Sequence, residues 1–373
     1  VTSVTTTSRT AYVSDNKDVE KLVQAVRAED DSFYRFEKIT RKTKDDGAWM
    51  NFPSVSLFSS TAYAHCSDFF RRMGMESSTN AYSITGSTPL MNMLMSVKYG
   101  IYSEEPQAPG EMGLSYIASS GMTSIYQTEF TLPLGYMLSD AELEAWDTHA
   151  GTPALAQNSL CEALDCAPVM NSVLGEFYDS DYSFTADQAG EYYAYVNNAA
   201  VKQVSANFGY KEKSFNNVDR GFLLELGYLE AGDTVTLHSK TEGQSVSADV
   251  YRFDYNALRE VQDVLGLGDS LWTNDKLECF GCANYMKAAL VYSDVITTVS
   301  PSYAEEIQTA YYGERLDGLL RARRNDLHGL LNGIDVVDYN PATDKHLAAT
   351  YTPDDLSGKA ACKKALQEKL GLK

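Results

Sequence analysis

Few side chains in this sequence stand at spacings that chemistry uses. Asp179-Ser-Asp181 is a DxD of the kind that can hold a nucleotide-bound cation, but it sits in an acidic turn between expected elements and reads as a solvated loop. Cys279-Phe-Gly-Cys282 is a lone CxxC with no second pair, so it implies two ordinary thiols rather than a zinc site. Cys161 and Cys166 could pair if the helix before Pro168 ends between them. The five histidines (65, 149, 238, 328, 346) are scattered without ligand spacing, and His328, inside NDLHGLLN, reads as a half-buried strand residue. No GxxxxGK[ST], HExxH, GxGxxG or GxSxG pattern occurs, so phosphate-loop, zincin, dinucleotide and nucleophile-elbow chemistry have no support. No metal and no cofactor is expected.

The elements that would position any site change character along the chain. Residues 1–16 are Thr/Ser-rich and read as an exposed lead-in. Val19, Leu22, Val23 and Val26 then share one helical face. DSFYRFEKIT alternates like a strand, SVSLFSS (54–60) reads as a second strand, and residues 62–73 as a helix. In STPLMNMLMSVKYGIY, Ser87 or Thr88 can cap a helix that begins at Pro89, and Val97, Tyr99 and Ile101 alternate as the next strand. The methionines here read as core. Ser139-Asp-Ala-Glu142 is a capping box. From Val169 the pattern is strands alone: GEYYAYVNN, AVKQVSANF, RGFLLELGYL, GDTVTLHSK and SVSADVYRFD, separated by Gly, Asn and Asp turns, as in an antiparallel sandwich.

After Asp254 the grammar becomes that of an α/β protein. Leu258, Val261, Val264 and Leu265 mark one helix face, ended by Gly266 and Gly268. A helix is expected over 282–292 with Tyr285, Met286, Ala289 and Leu290 inward, then a strand over 295–299. Ser300-Pro301 should start another helix, and 327–331 another buried strand. The expected fold is therefore an α+β domain (1–168), an antiparallel β-sandwich-like domain (169–258) and an incomplete α/β, Rossmann-like fragment (259–373).

Charge and length narrow the partners. The 373 residues carry a net charge of −20; residues 1–258 hold 18 Lys/Arg against 34 Asp/Glu, and residues 259–373 hold 13 against 17. Such an acidic first part repels nucleic acid and anionic headgroups. No run approaches the roughly 18 apolar residues of a membrane span, so the chain by itself is expected to be soluble, with a membrane involved only through segments outside it.

Two resemblances follow from these words. DSFYRFEKIT, FPSVSLFSST, STPLMNMLMSVKYGI, GEYYAYV and LGYLEAGDTVTL, over about residues 15–258, resemble the extracytoplasmic region of the YfhO family of bacterial membrane proteins. The resemblance implies a role in glycosylating cell-envelope polymers such as teichoic acids, with the catalytic machinery in a membrane-embedded part, and supplies no active-site residue here. LVYSDVITTVSPSYAEEIQT, YGERLDGLLRARRNDLHGLLNGID and YNPATD, over about residues 261–373, resemble bacterial glycogen (starch) synthase. That family has the GT-B fold of two Rossmann-like domains across a cleft, and transfers glucose from ADP-glucose to an α-1,4-glucan with retention. Arg315 stands where the family usually has Gly, and Tyr339 where it usually has Trp.

The second resemblance implies that Ser300, Tyr303, Glu305, Asn332, Gly333 and Asp335 shape the edge of the first domain's cleft. The family's Lys-Thr-Gly-Gly donor loop has no counterpart, and its Arg and Lys that clamp the donor phosphates fall beyond KKALQEKLGLK. Charge developing on the leaving group would then meet no fixed cation. The sequence is thus expected to be a chimera whose first part is extracytoplasmic and whose last part derives from a cytoplasmic enzyme, not catalytic as it stands. The alternative is an ADP-glucose-dependent glucan synthase. Partners implied are an envelope polymer or glucan, with ADP-glucose only if the synthase part were complete. Eighteen of the 25 tyrosines precede Arg259, and such rings can stack on sugars, although tyrosine-rich strand faces more often pack.

Overall fold

The computed structural model describes Thr10 and residues 13–136, 138–266 and 273–372; most of the Thr/Ser lead-in, and Gly268, lie outside the described residues. The chain forms two compact units, Val1–Gly268 and Asp269–Lys373.

The first unit opens with helix α1 (Asn16–Glu29), which buries Val19, Leu22, Val23 and Val26, the face its spacing dictates. Next come β1 (Arg35–Lys38), the single turn α2 (Asp46–Trp49), β2 (Leu57–Phe58), α3 (Ala64–Arg72) and the β3 (Ser77–Ser78)–β4 (Ala81–Tyr82) hairpin. Helix α4 (Pro89–Leu94), β5 (Val97–Tyr102), β6 (Leu114–Ser120), β7 (Thr123–Thr128), α5 (Asp140–Ala145) and α6 (Pro153–Ala163) complete this part. A four-stranded sheet runs β1-β5-β7-β6, with β1 parallel to β5 and the other pairs antiparallel. The apolar face of α1 packs with Phe36, Tyr99, Ile101 and Ile125 of this sheet.

Local signals held where they were chemical. Thr88 Oγ1 accepts from Met91 N with Pro89 at the first helical position, and both halves of the Ser139/Glu142 capping box form. Leu90, Met91, Met93 and Leu94 are core. Two expectations fail. SVSLFSS contributes a strand only at Leu57–Phe58, and β1 buries Phe36, Glu37 and Lys38 in succession instead of alternating. The cause is compensation: Lys38 pairs with Asp15 at 2.9 Å, and Glu37 accepts from Ser54 Oγ, Ser56 N and Ser56 Oγ at 2.8–3.0 Å. Charges so satisfied can sit inside. The helix does end between Cys161 and Cys166, at Ala163, yet both are free thiols, Cys161 lying buried over Gln157 O.

The same unit continues with β8 (Met170–Val173), β9 (Gly175–Tyr178), β10 (Asp181–Thr185), β11 (Gly190–Val196), β12 (Gln203–Asn207), β13 (Glu212–Asn216), β14 (Leu224–Leu229), β15 (Thr234–Ser239) and β16 (Ala248–Phe253). They form two antiparallel sheets, β13-β12-β15-β10-β9 and β14-β11-β16-β8, which share one core of Tyr192, Ala194, Val204, Leu224, Val235, Leu237 and Val250 with their neighbours. Helix α7 (Tyr255–Leu265) follows, N-capped by Asp254, whose carboxylate accepts from Asn256 N and Ala257 N. Its buried residues Ala257, Leu258, Val261 and Leu265 belong to the core that also holds Leu90, Met93, Phe130, Leu160 and Phe253. The 258/259 point therefore falls inside a helix packed into this unit through that face, from which Val264, expected on it, is excluded and stands exposed.

The second unit contains a hairpin, β17 (Glu278–Cys279) with β18 (Cys282–Ala283), then α8 (Tyr285–Tyr292), β19 (Ile296–Thr298), α9 (Pro301–Glu306), α10 (Asp317–Ala322), β20 (Leu327–Gly329) and α11 (Ser357–Leu370). Strands β19 and β20 pair in parallel and make a sheet of two. Its core consists of Ile296, Ala304, Leu316, Leu320 and Leu327. Arg323 holds the end of α8 by donating to the carbonyls of Leu290, Val291 and Ser293 at 2.6–3.1 Å.

Three expectations for this unit need correction. The helix starts at Tyr285, because 282–283 are taken by the hairpin, and its supposed inner face is open, Met286 being 67% exposed. Only Leu290 of that set packs on the core. Strand β20 ends at Gly329, leaving Leu330 and Leu331 exposed, and His328 is exposed rather than half-buried. The common reason is that no further strand or helix among the described residues covers these faces.

Candidate functional site: a tyrosine-lined cleft in the first unit

The six cleft-edge residues taken from the sequence lie in the second unit. Ser300 Oγ accepts from Tyr303 N at 3.0 Å, so those two are joined by the cap of α9. Glu305 is exposed on the same six-residue helix. Gly329 admits the close passage of Ser300, since a Cβ there would meet Ser300 O at 2.2 Å. Asn332, Gly333 and Asp335 occupy the exposed segment after β20. Asp335 Oδ1 accepts from Val337 N and Asp338 N, and these backbone donors lower its acidity range from the usual carboxylate value. Among the described residues no hydrogen bond joins this loop to Ser300–Glu306. Arg315 has φ 70°, in the left-handed region where glycine is at ease, which gives a physical meaning to the expected glycine.

The first unit holds a more developed site, which the sequence reading missed. A cleft of about 590 Å³ is lined by residues of the mixed sheet and of the β14-β11-β16-β8 sheet. Strand β5 directs Tyr99 and Ile101 into buried packing and turns Lys98, Gly100 and Tyr102 toward the cleft, which buried Val97 also lines. Gly100 leaves room for the Tyr102 ring, which a Cβ would meet at 2.6 Å. From β11, Tyr192 and Ala194 enter the sheet-to-sheet core while Glu191 and Tyr193 face the other way. A register irregularity after Tyr192 places Tyr193 opposite Glu225 of β14, so Glu191, Tyr193 and Glu225 share one face. Both faces of β11 are thereby covered.

Glu191 is the electrostatic centre of the cleft. Its Oε2 accepts from Tyr255 Oη at 2.7 Å, and Tyr193 also bonds its carboxyl. Burial, the largest influence, pushes its pKa up to about 7; the two tyrosines and Lys213 oppose this, and the neighbouring Glu225 adds to it. Burial and then the nearby Glu191 likewise raise Tyr102, Tyr193 and Tyr255 above the usual tyrosine value. Glu225 Oε1 accepts from Gly86 N at 2.9 Å. Gly86 itself has φ 79° and passes so close to Leu223 and Gly74 that a Cβ would stand 2.4 Å from Gly74 O. The cations are already engaged. Lys98 Nζ lies 2.6 Å from Asp30, Lys213 Nζ donates to Glu225 O at 2.7 Å, and Arg41 bonds Ser83 and Thr85. A carboxyl that titrates only near neutrality, beside a second carboxyl and several phenols, can donate and accept hydrogen bonds to a neutral ligand.

Comparison with known proteins divides the chain in the same direction as its pattern. Residues 1–174 match the family model described as bacterial membrane protein YfhO, and residues 244–322 match that of the starch synthase catalytic domain. Two different family models thus match different parts of one chain. The YfhO-like match contains the walls of the cleft as far as Phe130, while Glu191 and Glu225 lie between the two matched ranges. The synthase-like match begins within the loop before β16 and includes Tyr255 and all of α7.

The glycogen synthase of Geobacillus thermodenitrificans (strain NG80-2) is 59% identical over 112 residues, which are 30% of this chain and 23% of that protein. That of Thermotoga maritima is 55% identical over 107 residues, 29% and 22% of the two lengths. The chain thus spans about a quarter of the length of the curated relatives it matches. A solved structure, the catalytic domain of starch synthase IV from Arabidopsis thaliana bound to ADP and acarbose, is 39% identical over 29% of this chain and 23% of that one, with a TM-score of 0.24.

The other chemical candidates resolve as surface features. Asp179 and Ser180 form the β9–β10 turn, and Asp181 Oδ1 lies 2.6 Å from His238 Nδ1. Cys279 is a free thiol in the β17–β18 hairpin. Among the described residues no group of three or more His, Cys, Asp or Glu could hold a metal, and no helix is long and apolar enough to cross a membrane.

Proposed function

We propose that this chain is the extracytoplasmic portion of a YfhO-like protein, implicated in glycosylating a cell-envelope polymer of the teichoic acid type, joined to a synthase fragment and not catalytic as it stands. The observation that carries this reading is the placement of the developed cleft. It lies in the first unit, whereas the synthase-like cleft-edge residues are exposed or spent on local bonds. Ser300 Oγ caps its own helix and Asp335 Oδ1 closes its own turn, so both carry local structural work in an exposed setting. The divisions at 168/169 and 258/259 enter this proposal as limits of sequence resemblance and not of packing, since both fall within the first compact unit. Calorimetric titration of the chain with teichoic acid fragments should give a saturable signal; no heat and no shift in melting temperature would overturn the polymer-binding role.

One observation favours a second reading, an ADP-glucose-dependent glycogen synthase: the 59% identity over 112 residues. It is tested by radiolabelled ADP-glucose with glycogen as acceptor. Our reading expects no incorporation above the blank, and incorporation would establish the second in its place.

A further inference from the structure

We infer that the cleft beside Glu191 is a binding site for an uncharged pyranose unit, contacted by Tyr102 and hydrogen-bonded by Glu191 and Glu225. Its volume, about 590 Å³, falls in the range of small-molecule sites. The walls combine aromatic rings, Tyr102 and Phe130 among them, with carboxyl and amide groups, among them Asn92, the mixture that alternating C–H faces and hydroxyls of a sugar ring require.

Charge selects the class. Lys98, Arg41 and Lys213 line the cleft, Lys98 paired with Asp30, but Glu37, Glu104, Glu191 and Glu225 line it too, so its walls carry no excess of cations to draw in a phosphate or carboxylate ligand. Burial raises Glu191 to about 7, so a large share of it holds its proton near neutral pH, which weakens the pull on an amine ligand and supplies a donor for a hydroxyl or ring oxygen. The assignment of a sugar rather than another neutral polyol rests on the proposed glycosylation role; the site itself does not.

Saturation-transfer NMR on the full chain tests this with maltotriose, glucose 1-phosphate and myo-inositol as probes. Transfer to maltotriose is expected, weakened roughly tenfold by Tyr102→Ala, the effect of losing one well-packed aromatic contact. Glu225→Gln should weaken it less and serves if Tyr102→Ala fails to fold, as judged by near-ultraviolet circular dichroism. Lys364→Ala, at an exposed position of α11 in the other unit, should leave it unchanged. No transfer to maltotriose, transfer indifferent to both cleft variants, or preference for glucose 1-phosphate would overturn the site. Equal transfer to myo-inositol would overturn the sugar assignment. Maltotriose binding that depends on Tyr102, together with a silent teichoic acid titration, would sink the polymer reading and leave this one standing.

Discussion

The two units solve the problem of covering a sheet very differently. In the first, β11 is covered on both faces, with Tyr192 and Ala194 in one core and Tyr193 in another. In the second, two parallel strands share a core of five buried residues, while Leu331 is 78% and Val337 77% exposed. A parallel pair normally depends on layers on both faces. The contrast teaches that close sequence identity to a family guarantees local words, such as the Ser300 cap, but not a built site. Conversely, the developed cleft is assembled from residues as far apart as Glu37 and Tyr255, including one from the synthase-like match.

This contrast can be broken most severely through α7. Leu258→Ala empties a fully buried position of the first unit and should cost about 2–5 kcal/mol, read as a lower midpoint in urea for that unit's transition. If Leu258 mattered only to the second unit, that transition would not move. Gly86→Ala should destabilise the same transition by more than 1 kcal/mol, from its left-handed backbone and from the contact with Gly74.

Acidity sharpens the comparison next. Glu191 keeps its proton up to about 7, while the same group in an unfolded chain loses it near 4.5. Its contribution is therefore complete below about 4.5 and is lost as the pH rises through about 7, a change on the order of 3 kcal/mol. Glu191→Gln should flatten this part of the first unit's stability profile; an unaltered profile would refute the buried, protonated carboxyl. Asp30 acts with the opposite sign. Although burial raises it, Lys98, Ser32 and Tyr99 together hold it below the usual carboxylate range, so its contribution is present above about 3.8 and fades on acidification.

Smaller effects belong to the second unit. Arg323→Ala removes the three carbonyl bonds that end α8 and should cost roughly 1–3 kcal/mol of that unit's stability, measurable by amide exchange in 285–292. Arg315→Gly relieves the left-handed backbone but gives up the guanidinium's place 4.9 Å from the Phe280 ring, leaving a net gain of about 1 kcal/mol or less. A loss instead would show that the ring contact dominates.

What could be read from the sequence was mainly what depends on neighbours in the chain. Thr88-Pro89, Ser139 with Glu142, and Ser300-Pro301 announce their caps because each motif satisfies its own backbone donors. The α1 face was legible because Val19, Leu22, Val23 and Val26 recur at the helical period. Glu191 was not, since alternation in GEYYAYV separates two faces without telling what covers the second. A glutamate on that face reads as solvated until a distant strand and Tyr255 close over it. The inward set expected on α8 failed for the mirror reason: Met286 and Ala289 fit an apolar face, but no described element arrives to bury it.

The central claim, that a well-packed first unit with a formed cleft is joined to a loosely covered second unit, is tested most directly by limited proteolysis of the full chain with mass-spectrometric mapping of the cuts. We expect early cleavage within 330–350, with the fragment up to about Leu265 persisting. Resistance of the second unit equal to that of the first would contradict the account.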